Sequence, residues 1–185
     1  MSKFAKKIFS GKSADDNDWN DFLKEYHAQH PEITQACFAD FKTDIGPNSY
    51  DLLLRELDQY SNKRITLLDL ACGDGYMTKS CLKKINNDSK VIGVDMVQEE
   101  INRAKKLIKD PRVEFKCESA QKLSLKSESI DIILCHLALM LMLPLEPVIN
   151  EMGRVLKPGG KLAAVISGSK TFGYIGKFLY HGFDT

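Results

Sequence analysis

The chain has no cysteine pair at C-x-x-C spacing, no marked excess of either charge and no apolar run long enough to cross a bilayer. Its five cysteines (Cys37, Cys72, Cys81, Cys117, Cys135) are odd in number and scattered, which leaves a disulfide framework or a zinc site without support. Several stand in apolar runs, and buried thiols acting as small hydrophobes are expected. A formal net charge of +1 lacks the basic footprint of a nucleic-acid binder, so no nucleic-acid partner is expected. The longest apolar stretch, Leu137 to Leu145, falls far short of the roughly 20 residues of a membrane span. The first residues carry no apolar h-region, and with no membrane association the expected location is cytoplasmic. Internal repeats and low-complexity segments are also missing. What remains, at 185 residues with 43% hydrophobic and 28% charged side chains, is one ordinary core with a small attached element.

Hydrophobic spacing divides the chain at about residue 63. Residues 1–15 are polar and aperiodic and read as a flexible tail. Residues 16–62 read as an N-terminal helical cap. In its first helix, capped by Asp16 or Asp18, Trp19, Phe22, Leu23 and Tyr26 share a face. Pro31 ends that helix and opens a second with Ile33, Cys37, Phe38 and Phe41 on its apolar side. The turn "DIGPNS" precedes a third helix from Ser49, with Tyr50, Leu53, Leu54, Leu57 and Tyr60 at helical spacing. From residue 63 to 185 short β-rich runs alternate with helices. "RITLLDL", "KVIGVD", "RVEFKC", "SIDIILC" and "GKLAAVIS" are the strands. Helices are expected from Tyr76 to Ile85, over "QEEINRAKKLIK" and over "EPVINEMGRVL". Near-continuous Val/Ile/Leu strands separated by helices imply a parallel sheet covered on both faces, an α/β doubly wound fold.

Such sheets bind ligands at the carboxyl ends of their strands, near the point where strand order reverses. The first strand and its turn read "LLDLACGDGYMT". Gly73 and Gly75 allow a tight turn and a close backbone approach, and the start of the next helix offers free N–H groups. Two glycines alone are a weak signal. A dinucleotide fingerprint wants a third, where this chain has Thr78. Asp69 at the strand end would repel a pyrophosphate but attract the amino group of a methionine moiety.

At these residues the chain resembles the class I S-adenosylmethionine-dependent methyltransferases. Their first motif, acid-x-Gly/Ala-x-Gly-x-Gly, is matched by Asp69, Ala71, Gly73 and Gly75. The resemblance runs from about Arg64 to Ser167. It implies that Asp95, closing "VIGVD", grips both ribose hydroxyls. It sets "CESAQKLSL" at the adenine, with Ser119 in place of the family's acid and Ala120 beside it. "EMGRVLKPGGKL" is similar to the family's helix, turn and fifth strand. Met96 and Cys135 join the cofactor contacts that the resemblance implies. The fold implied is a Rossmann-like methyltransferase fold, mostly parallel, with the N-terminal cap. The activity implied is methyl transfer from S-adenosylmethionine to a small or mid-sized organic acceptor, leaving S-adenosylhomocysteine.

Methyl transfer from a sulfonium is an in-line displacement in which positioning does most of the work. A base is needed only where the acceptor carries a proton, and His136, after the fourth strand, is the candidate. His27 and His30 lie three apart, but no third metal ligand accompanies them, so no metal is expected. Trp19, Phe22, Phe38 and Tyr50 are candidates for lining the acceptor pocket, although their spacing fits ordinary packing better. "LALMLMLPLEP" reads as core or as an apolar wall beside the acceptor, core being preferred. Cys72 reads as a small residue filling tight space. Two alternatives remain: a nicotinamide-dependent oxidoreductase, and an inactive cofactor-binding protein with a regulatory role.

The family's sheet has seven strands, and only 18 residues follow Ser167 here. They read as a loop and a glycine-weakened helix, so the last two strands are expected to be lacking. A bare fifth strand would be an exposed edge. The expectation is therefore either a homo-oligomer covering it or a longer native chain.

Overall fold

The computed structural model describes residues 4, 6–7, 10–11, 13–30, 33–40, 48–166 and 177–182. Helix α1 spans Asp16–Gln29. Its cap is Asp15, one residue before the expected acids: the Asp15 carboxylate accepts from the Asp18 N–H, and the Asp18 carboxylate accepts from the Asp15 N–H. Phe4 stacks on Phe22 at 5.1 Å, and Lys7 pairs with Asp18. The stretch read as a flexible tail therefore has described residues docked on α1.

Two short helices follow, α2 (Ile33–Phe38) and α3 (Ser49–Arg55). Phe41 lies outside the described residues. Asn48 caps α3 by accepting from the Asp51 N–H. Tyr50, Leu53 and Leu57 belong to the same buried cluster as Leu67, Ile132 and Leu134 of the sheet. The end of the expected cap is thus part of the core.

The remaining elements alternate as the hydrophobic runs imply. They are β1 (Thr66–Leu70), α4 (Tyr76–Cys81), β2 (Lys90–Asp95), α5 (Gln98–Leu107), β3 (Val113–Cys117), β4 (Ile130–His136), α6 (Leu145–Val155), β5 (Leu156–Ile166) and β6 (Lys177–Gly182). Helix α4 stops four residues short of Ile85. There the bonds tighten to i→i−3, Lys83 N–H to Ser80 O and Lys84 N–H to Cys81 O, before the Asn86–Ser89 turn.

The sheet order is β3-β2-β1-β4-β5-β6. The first five strands are parallel and β6 runs antiparallel to β5. This corrects the sequence reading after Ser167: residues 177–182 form a strand, not a helix, and one strand beyond β5 is present. Phe178, Leu179 and Tyr180 are types favoured in strands, and the open edge of β5 offers the backbone partners they need. The Lys157–Gly160 turn lies inside β5. Leu156 pairs with Ile130 and Lys161 with Ile132, so the intervening residues bulge out, with Gly159 at φ +72°.

Alternation along the central strands sends side chains to two faces. Leu67, Ile132 and Leu134 meet α3 and α4, while Leu68, Leu70, Ile133 and Cys135 meet the α6 side chains Val148 and Met152. Strand order reverses between β1 and β4, which opens a crevice at their carboxyl ends.

Gly93 in β2 is where this frame has least room. A Cβ there would stand 2.6 Å from the Phe115 ring and 3.0 Å from Cys72 Sγ. Gly93→Ala is expected to cost about 1–3 kcal/mol through overpacking. Urea unfolding should show a lower midpoint with an unchanged slope; an unchanged midpoint would show that Phe115 yields freely.

Candidate active site

A cavity of about 440 Å³ lies over the carboxyl ends of β1, β2, β3 and β4, with α1 contributing further wall. That size is ordinary for a small-molecule site. Eight of the ten residues singled out from the sequence line it: Asp69, Ala71, Gly73, Asp95, Met96, Ser119, Ala120 and His136.

Gly75 and Cys135 are not among the lining residues. Gly75 starts α4 at φ +89°, where an added Cβ would stand 2.8 Å from Ile108 and 3.3 Å from Phe115. Its lack of a side chain serves the contact with α5 and β3. Cys135 points to the α6 face and is fully buried there, with burial pushing its thiol up to about 12. Alternation along β4 puts it opposite His136.

The β1 turn is built from left-handed backbone. Ala71 has φ +60° and Gly73 φ +53°, and a Cβ at Gly73 would meet nothing within 4 Å. A side chain there would project into open space beside the turn, so the glycine leaves room for a ligand to lie against the backbone. Asp95 ties this turn to β2: one oxygen accepts from the Gly73 N–H and the other from the Val97 N–H, both at 2.9 Å. Burial pushes the Asp95 carboxyl up, while these two N–H groups and the nearby His27 work the other way.

Asp69 is 1% exposed and accepts a 2.5 Å hydrogen bond from the Thr78 hydroxyl. Thr78, the residue that breaks the dinucleotide fingerprint, is thus the partner of the acid that distinguishes this turn. No Lys or Arg pairs with Asp69 among the described residues. Burial pushes its carboxyl up to about 7; Thr78 opposes the shift, and neighbouring Asp95 and Asp74 add to it.

Around the cavity stand six carboxylates, Asp21, Asp69, Asp74, Asp95, Glu100 and Glu118, against a single Lys or Arg, Lys24. The chamber therefore favours a cationic ligand over an anionic one.

His136 is the polar end of the opposite wall. Burial alone pushes its imidazole down to about 4, so the ring is neutral near pH 7. It stacks on Tyr50 at 3.7 Å, and Tyr50 meets Tyr76 edge-on at 4.7 Å. Leu137, next in the chain, holds a left-handed φ of +51° and also lines the cavity. The apolar stretch divides its roles. Leu137 and Leu139 are buried, Leu141 and Met142 line the cavity, and Met140, Leu143 and Leu145 are exposed.

Helix α1 forms one wall and is tied to the segment after β4. Trp19 Nε1–H donates to Leu141 O and Asn20 Nδ2–H to Leu143 O, each at 2.9 Å. Of the four aromatic candidates only Tyr50 lines the cavity. His27 lines it from α1, while His30 stacks on Tyr26 instead. No cluster of three or more metal-ligating side chains occurs among the described residues. No described helix is long and apolar enough to cross a membrane. Among the thiols, Cys72, Cys81 and Cys135 are buried, but Cys37 and Cys117 are exposed, which corrects the expectation for those two. Ser49 had no local signal as a site residue, because it matters through His136, 87 residues on.

Comparison with known proteins places this geometry. A family profile described as a methyltransferase domain matches residues 68–164. The chain is 28% identical over 150 residues to a malonyl-[acyl-carrier protein] O-methyltransferase of Priestia megaterium, covering 81% of this chain and 53% of that protein. It is 33% identical over 115 residues to a ubiquinone/menaquinone biosynthesis C-methyltransferase, UbiE, of Campylobacter jejuni, covering 60% and 48%. The chain thus spans about half the length of these relatives. Among solved structures, a SAM-dependent methyltransferase from Aquifex aeolicus superposes with a TM-score of 0.61 at 18% identity, covering 86% of this chain and 76% of that one, a likeness of fold.

The raised Asp69 carboxyl has a consequence for stability. Its proton is held to about pH 7 in the folded chain but only to about 3.8 when unfolded. The folded state binds the extra proton between these values. The stabilisation is therefore present below about pH 3.8 and lost as pH rises towards 7. Asp69→Asn should remove this slope. The unfolding free energy of the wild type, relative to the variant, is expected to fall by up to ~1.4 kcal/mol per pH unit across that window. A flat difference in chemical denaturation would overturn the assignment.

Proposed function

This chain belongs to the methyltransferase-domain family, and from that premise we propose that it transfers a methyl group from S-adenosylmethionine to a small or mid-sized organic acceptor. The observation that carries this reading is Asp69, a buried carboxyl at the cavity wall that pairs with no Lys or Arg among the described residues. Asp69 would hold the ammonium of the cofactor's methionine moiety, a cation beside it favouring the ionised carboxyl with its proton released to solvent.

The other lining residues fit the same group. Asp95 spends one lone pair on each backbone N–H and keeps further acceptor capacity for two ribose hydroxyls. Gly73 lets the backbone come close, and Met96, Ser119 and Ala120 stand at the ends of β2 and β3, where the adenine is expected. When bound, S-adenosylmethionine supplies an activated methyl on a cationic sulfur, open to in-line displacement. The residues of this chain orient, exclude water and face the nucleophile; precise placement of this kind is worth several kcal/mol, ~7–11 in ideal cases. Asp69, at the first turn where a nicotinamide dinucleotide would place its diphosphate, opposes that cofactor, whereas Asp95 suits the ribose of either one.

The acceptor side of this reading is the β4 end of the cavity, where Tyr50, His136, Leu137, Leu141 and Met142 form an aromatic and apolar wall. An uncharged or weakly polar organic molecule suits it. His136 is its polar group; the proton-accepting role expected of it from the sequence would need an unprotonated ring nitrogen on the acceptor side.

Asp95→Ala tests the cofactor site. Calorimetric affinity for S-adenosylhomocysteine should drop by roughly 1.5–3 kcal/mol, the scale of hydrogen bonds to a charged group. Wild-type affinity in the variant would remove Asp95 from the ribose, and preferential binding of a nicotinamide dinucleotide by the wild type would sink the methyltransferase reading.

A further inference from the structure

Ser49 opens α3 and is fully buried, with its Oγ 2.9 Å from His136 Nε2. No other hydrogen bond of that hydroxyl occurs among the described residues. The second ring nitrogen, Nδ1, has no protein partner among the described residues and is not among the sealed polar atoms. Since His136 lines the cavity, Nδ1 is the nitrogen that opens to it.

Two arrangements of the protons fit a 2.9 Å contact. If Nε2 carries the ring proton, it donates to Ser49 Oγ. The serine's own proton then has no acceptor in a closed space, and an unmet buried donor is costly. If the serine O–H donates to Nε2, every buried group is satisfied and the ring proton sits on Nδ1, where a ligand or water can accept it. The nitrogen that is protonated is set by the hydrogen bond the other makes.

We propose that Ser49 is a positioning residue which holds His136 in its neutral Nδ1–H form, so that the ring presents a hydrogen-bond donor to the methyl acceptor. Stacking on Tyr50 fixes the ring plane, and the low imidazole pKa keeps the ring uncharged. A donor at this place selects an uncharged acceptor that offers an accepting atom, such as a carbonyl oxygen or an unprotonated ring nitrogen. It also means that the nucleophile does not hand its proton to His136 Nδ1 in the resting tautomer. The role given to the ring rests on the methyl-transfer reading; the tautomer itself does not.

Two-bond ¹H–¹⁵N correlation spectra of histidine-labelled protein, recorded at neutral pH with and without S-adenosylhomocysteine, read the tautomer directly. The wild type is expected to show His136 with a protonated Nδ1 and an unprotonated Nε2. In Ser49→Ala the Nδ1–H form should fall to a minority, and Ser49→Thr, which keeps the hydroxyl, should restore it. A protonated Nε2 in the wild type overturns the proposal without needing any variant to fold. An unchanged tautomer in folded Ser49→Ala overturns the role of Ser49. Calorimetry on the same samples separates the two ideas, because failure to bind S-adenosylhomocysteine would remove the functional reading while leaving the tautomer standing.

Discussion

Asp69 sits at the end of β1, 1% exposed, with the Thr78 hydroxyl as donor and no Lys or Arg paired with it among the described residues. A carboxyl in that setting is poorly solvated as an anion, and Asp95 and Asp74 make ionisation harder still. The turn that follows must keep those acids apart while holding the backbone open to a ligand. It does so with left-handed residues at Ala71, Gly73 and Gly75, and with the Gly73 N–H held by Asp95. β1 and β2 are therefore joined at their carboxyl ends by a side chain as well as by their ladder. Of the three non-glycine residues with a left-handed φ among the described residues, Ala71 and Leu137 stand at this mouth and Glu128 in a turn elsewhere.

Helix α1 depends on the same frame. The Leu143 carbonyl accepts from Asn20 of α1 and from Gln121 after β3, at 2.9 and 2.8 Å. One oxygen thus brings together the N-terminal helix, the loop beyond the third strand and the segment beyond the fourth. Trp19 adds a second anchor two residues earlier, at Leu141. The aromatic side of α1, whose spacing fits packing better than acceptor contact, packs on itself, Trp19 on Phe22 and Phe22 on Tyr26. The helix offers the cavity its polar side, Asn17, Asp21, Lys24 and His27 among it.

What could be read from the sequence was local. The strands of the parallel sheet are runs of Val, Ile and Leu whose type needs no partner to recognise, and Asp69, Gly73 and Asp95 stand at the ends of two of them. Gly75 was read as a ligand contact because glycine signals close approach, but its neighbours are Ile108 and Phe115, which are far away in sequence. Cys135 could have been placed from alternation alone, since it is adjacent to His136 on a strand and must face the other way. Thr78 looked like a mismatch to a motif, and only the fold brings its hydroxyl to Asp69. Ser49 lies 87 residues before His136, and no pattern of spacing announces their contact. The strand at 177–182 was hidden for a related reason: a glycine-bearing segment becomes a strand when a neighbouring edge supplies its hydrogen bonds.

The charge lining the chamber bears on more than cofactor choice. On the methyl-transfer reading, the ligand enters as a sulfonium and leaves as a neutral thioether, so its net charge drops by one across the reaction. A wall of six carboxylates with one lysine holds the first form more strongly than the second. Asp69 and Asp95, both desolvated, feel that loss most, because their attraction for a nearby cation is least screened. On the same reading the ammonium that Asp69 would hold is unchanged by the reaction, so that contact would remain for the product. The acid-lined chamber would then favour the charged form over the neutral one, while Leu137 and Met142 supply an apolar wall beside it.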